Sequence, residues 1–150
     1  MEPTMVRDLE TVRRRRAELR ESIAMVRAVL ADLPDSPVVW GERIQQEVAR
    51  LALDFIEHID VTEGAGGLHE TIVENSPRLR HAVDILTAEH DEMEAEIADL
   101  VMAVEPPVMA RDVEAITVRT TILLDRLVKH RQRGADLVYE AFEQDLGAGD

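Results

Sequence analysis

The chain has 150 residues and a formal charge of −14, with charged residues at 32%, apolar residues at 45% and aromatics at 3%. The apolar share is enough for a core and argues against wholesale disorder, while so few aromatic and turn residues nearly exclude a sandwich or barrel. The acidic balance repels phosphate backbones and anionic lipid surfaces, so neither nucleic acid nor a membrane is an expected partner.

Without cysteine there are no disulfides, Fe–S clusters or thiolate zinc sites. No apolar run approaches the roughly 18–20 residues of a membrane span. The basic residues near the start have no apolar stretch behind them, unlike a secretory signal. The expected compartment is the cytoplasm.

Apolar residues recur with a helical period almost throughout. The first predicted helix runs from about Thr4 to Ala31 on the stripe Leu9, Val12, Arg16, Leu19, Ile23, Val26 and Leu30. Leu33-Pro34-Asp35-Ser36-Pro37 breaks it, because proline cannot continue the ladder. The second, from about Val38 to Thr62, carries Ile44, Val48, Leu51, Phe55, His58 and Thr62. Gly64-Ala65-Gly66-Gly67 ends it, and a short amphipathic stretch, Leu68 to Glu74, follows.

Ser76 as N-cap and Pro77 at the first helical position open the third long helix. Its stripe is Leu79, Val83, Leu86, His90, Met93, Ile97 and Leu100, and Glu105-Pro106-Pro107 stops it. The fourth, from about Ala110 to Leu146, carries Ile116, Thr120, Leu123, Leu127, His130, Gly134, Leu137 and Ala141. A flexible tail is expected from about residue 147. Four long helices with short connections predict one domain over residues 1–150, an all-α, up-down-up-down antiparallel four-helix bundle.

The polar residues on core stripes carry the functional information. His58, His90 and His130 each interrupt an apolar stripe on a different helix, and Glu94 follows His90 by four residues. Inward histidines and carboxylates from facing helices are how bundles assemble metal sites. Two histidines and a carboxylate with an open position suit non-haem iron, so His90, Glu94 and His130, with His58 nearby, form a candidate site. His69 and His81 read as surface or second-layer residues. Within the run Arg13–Arg16, only Arg16 lies on the apolar stripe.

Three segments carry a family resemblance: Phe55-Ile56-Glu57-His58-Ile59 with Thr62-Glu63; Ala88-Glu89-His90-Asp91-Glu92-Met93-Glu94; and Leu127-Val128-Lys129-His130-Arg131. In order and spacing the chain resembles the hemerythrin-like domains, the HHE cation-binding bundles with a non-haem di-iron centre. The resemblance implies ligands at His58, at His90 with Glu94, and at His130.

Three positions depart from the family pattern. Arg16 stands where the first helix would offer histidine. Thr62 replaces the glutamate four after His58, with Glu63 one residue late and about 100° away. Gly134 and Ala135 stand where an acid would follow His130, with Asp136 one later. The resemblance therefore implies a degenerate site with both bridging carboxylates lost.

Two readings follow. In one, the bundle holds at most one iron or zinc ion through His58, His90, Glu94 and His130 and binds or senses O2, NO or peroxide. In the other it is metal-free, with Arg16 paired to Glu94 in place of the cation, and acts as an interaction module. An enzyme of another class finds no support, since there is no nucleophile elbow, phosphate loop or dinucleotide fingerprint, and no histidine has Glu three residues before it.

Overall fold

Helix α1 (Pro3–Ala31) turns its apolar stripe toward α2 (Pro37–Glu63), and together they form half of a four-helix bundle. The computed structural model describes residues 3–32 and 35–142, with side chains from Leu9 onward. Trp40 fastens the α1–α2 turn by donating its indole N–H to the Val29 carbonyl at 3.1 Å. Ser36 caps α2, its hydroxyl accepting from the Val39 N–H at 3.4 Å with Pro37 in the first turn, so one of the orphan donors of that turn is satisfied.

At the far end of α2 the chain turns through Gly66, whose φ of +72° lies in the left-handed region that glycine enters without a Cβ clash. The short α3 (Leu68–Asn75) and a 3-10 turn at Pro77–Leu79 follow, and then α4 (Arg80–Ala103) and α5 (Ala110–Tyr139) complete the bundle. Ser76 precedes the 3-10 turn as expected, but among the described residues its buried hydroxyl has no hydrogen-bond partner and it makes no side-chain cap to the turn. The last described residues, 140–142, form a wider helical turn. The expected continuation to Leu146 and the flexible tail from residue 147 lie outside the described residues.

In the bundle α2 packs on α1 and α4, and α5 closes the ring against α4 and α1. This gives the antiparallel order expected when short connections join successive helices. The bundle has two apolar layers. The larger includes Leu19, Ile23, Ile44, Leu51, Phe55, Met93, Ile97, Leu123 and Leu127. The smaller lies where α3 crosses the bundle end and gathers Val12, Leu68, Ile72, Leu79, Val83, Leu86, Leu137 and Ala141.

Each long helix passes from one layer to the other through a polar residue: Arg16 between Val12 and Leu19, His90 between Leu86 and Met93, and His130 between Leu127 and Leu137, with His58 one turn beyond Phe55. The polar residues thus share one depth in the bundle. Among the described residues no helix is long and apolar enough to cross a membrane.

Candidate metal centre

His58, His90 and His130 are buried, and their ring nitrogens converge. His58 Nε2 lies 3.2 Å from His90 Nε2 and 3.3 Å from His130 Nε2. Phe55, one turn before His58, lies against all three rings, with centroids 5.7, 5.8 and 6.3 Å away.

The outer nitrogens of two of these rings are held by carboxylates. His90 Nδ1–H donates to Glu63 Oε2 at 2.7 Å, and His130 Nδ1–H donates to Glu89 Oε1 at 3.0 Å. Glu89 also pairs with Arg133. With the proton on Nδ1, both rings present a bare Nε2 lone pair to the centre. The buried His58 Nδ1 has no partner among the described residues.

A single N–H on His58 Nε2 can be donated to only one of the other two rings, so without a cation at least one close nitrogen pair stays unsatisfied. The spacing suits an ion. Imidazole nitrogens about 2.0–2.1 Å from a tetrahedral ion are about 3.3–3.4 Å apart, close to the 3.2 and 3.3 Å observed.

Two of the rings, His58 and His130, are also held in the neutral state a metal requires. Burial, followed by the neighbouring histidines, pushes the His58 pKa well below its ordinary value. Burial lowers His130 to about 4 despite the opposing pull of its bond to Glu89. Neutral imidazoles at neutral pH are ready to ligate.

His69 forms a second layer. It is buried rather than on the surface, stacks on His90 at 5.6 Å between centroids and 7° between planes, and places Nδ1 3.2 Å from Thr87 Oγ1. Burial and the charge of His90 lower its pKa to about 4. His81 is exposed.

Over the histidines lies a cavity of about 20 Å³, walled by Val12, Leu68, Leu86 and Leu137 and edged by Arg16 and Arg131. A void needs roughly 10–15 Å³ of such volume to hold one water, so there is space for a single small ligand.

Two expected members of the site are not where the sequence placed them. Glu94 is exposed; the core stripe at this depth runs through Met93 and Ile97, and a step of four past His90 carries the side chain to the flank. Arg16 consequently does not pair with Glu94, and among the described residues it makes no ion pair. The salt bridge on which the metal-free reading was built is absent.

Other substituted positions behave as their chemistry dictates. Thr62 donates its hydroxyl to the His58 carbonyl at 2.7 Å and so serves its own helix. Asp136 is exposed and accepts from Gln132 Nε2 at 3.0 Å. Glu63 does take part, but at the outer nitrogen of His90. Glu89 and Arg131 were not singled out from the sequence. Glu89's position directly before a stripe histidine was the only available signal.

One other group among the described residues has ligand spacing, the half-buried carboxylates Glu18, Asp54 and Glu57. Arg15 already holds Glu18 at 2.9 Å and Glu57 at 2.6 Å, so a side-chain cation occupies that cluster.

The chain matches no protein-family model, no curated protein and no solved structure.

Proposed function

We propose that the chain is a hemerythrin-like bundle with a mononuclear centre, in which His58, His90 and His130 hold one divalent transition-metal ion and a small ligand reaches it from the adjoining cavity. The observation that carries this reading is the meeting of three buried imidazoles, with His58 Nε2 at 3.2 and 3.3 Å from the Nε2 atoms of His90 and His130 and carboxylates behind those two. Carboxylate–histidine pairs of this kind fix the tautomer and raise the basicity of metal ligands.

An all-nitrogen donor set suits iron, zinc, copper or nickel and disfavours magnesium and calcium, which demand oxygen. When bound, such an ion supplies a Lewis-acidic coordination position for O2, NO or peroxide. The chain's own residues do the rest. Glu63 and Glu89 orient the rings, Phe55 packs against them, and the apolar cavity wall limits access to one small molecule.

Anaerobic calorimetric titration of the chelator-stripped chain with Fe(II) and with Zn(II) tests the reading. One ion per chain is expected, with uptake abolished by His90→Ala. Uptake unaffected by that substitution would contradict it. A changed electron-paramagnetic-resonance spectrum of the iron-loaded chain on exposure to NO is expected if the cavity admits the ligand.

A further inference from the structure

Beside the histidine cavity runs an open groove of about 460 Å³ between α1 and α5, a volume in the roughly 300–1,000 Å³ range of small-molecule sites. Arg13, Arg16 and Arg20 line it from α1, at steps of three and four that put them on one helix face. Arg131 faces them from α5.

In a chain of net charge −14 this concentration of positive charge is exceptional. Elsewhere Arg15, Arg27, Arg43, Arg50, Arg119, Arg126 and Arg133 each lie within salt-bridge distance of an acid. Among the described residues, none of the four groove arginines does. The groove's carboxylate, Glu21, is directed to Arg50 at 3.8 Å.

The arrangement carries a cost that an acceptor would relieve. Among the described residues, the buried Arg131 Nε has no hydrogen-bond partner. Burial first, and then the charge of Arg13, lowers the pKa of Arg16.

We propose that this groove is a binding site for a compact multivalent oxyanion, a small molecule carrying two or more carboxylate or phosphate groups. Guanidinium forks match the geometry of both groups. Size decides between a small anion and a polymer. Charges more than about 8 Å away are largely screened at physiological salt, so a compact anion experiences the arginines, whereas an extended nucleic acid also meets the acidic remainder. Because Arg16 and Arg131 border both spaces, the bound anion closes the mouth of the histidine cavity. That last step rests on the metal reading, but the anion site does not.

The test is calorimetry of the full, chelator-stripped chain with pyrophosphate and with citrate at fixed ionic strength. Saturable binding of at least one probe is expected, weakened at least tenfold by Arg20→Gln and by Arg131→Gln and unchanged by Arg27→Gln, which lies outside the groove. The two probes separate phosphate from carboxylate preference. His90→Ala, which removes the proposed metal site, is expected to keep the anion affinity, so the two readings fail independently. No binding above a sodium chloride control, equal losses in Arg27→Gln, or tighter binding of a duplex oligonucleotide would overturn the proposal.

Discussion

His90 and Glu63 join α4 to α2 through a 2.7 Å hydrogen bond, while the opposite nitrogen of the same ring lies 3.2 Å from His58 Nε2. Glu63 is five residues after His58, about 140° around the α2 axis from it. It therefore reaches the neighbouring helix's histidine from outside instead of entering the centre. Glu89 and His130 repeat the relationship between α4 and α5.

Glu63→Gln and Glu89→Gln are each expected to weaken metal affinity about 10–100-fold, the usual cost of losing an outer carboxylate, while leaving the helical content intact. Competition against a chromophoric chelator measures this. Unchanged affinity in both variants would remove the outer carboxylates from the account.

The helices and the three histidines were legible in the sequence because both are matters of period. A polar residue on an apolar stripe must face the core wherever the helix packs. Glu94 was misplaced because a step of four keeps roughly the same face in isolation, whereas the buried face at that depth is narrow and is filled by Met93 and Ile97. The carboxylates behind the rings were not legible as such. Glu63 and Glu89 lie off the stripes, and only the rotation of neighbouring helices decides which off-stripe acid meets a ring. Arg16 is half-buried on α1, and its setting between a cavity and a groove depends on Arg131, a residue from another helix.

Exposure of Glu94 gives a direct check on the revised site. Glu94→Gln is expected to leave metal affinity unchanged and to shift stability by no more than about 0.5 kcal/mol, as exposed substitutions do. A loss of metal uptake in this variant, measured by the same titration, would restore it as a ligand.

Acid is expected to destabilise the metal-free chain. His69 and His130 titrate at about 4 in the fold and burial holds His58 well below its ordinary value of 6.5. Below pH 6.5 the unfolded chain binds these protons and the folded chain does not. Stability is therefore fully present above that pH, falls between 6.5 and about 4, and levels off for His69 and His130 below it. Each such proton contributes a slope of about 1.4 kcal/mol per pH unit. Urea unfolding from about pH 7 to pH 5 checks this, and His69→Gln should flatten the dependence by about one proton.

Thr120 offers a test of packing away from the histidine cluster. It is fully buried on α5, and its hydroxyl has no hydrogen-bond partner among the described residues. Thr120→Val keeps the shape and removes an unsatisfied polar atom, so stabilisation of about 1 kcal/mol is expected. Chemical denaturation measures it, and a destabilised variant would mean that the hydroxyl is satisfied in solution.

The most direct measurement of the central claim is titration of the chelator-stripped chain with Co(II), followed by its visible absorption. Three imidazoles with an open position predict intense bands of low-symmetry cobalt that saturate at one ion per chain and vanish in His58→Ala and His130→Ala. Saturation at two ions per chain, bands that persist in both variants, or no visible bands at all would contradict a mononuclear three-histidine centre.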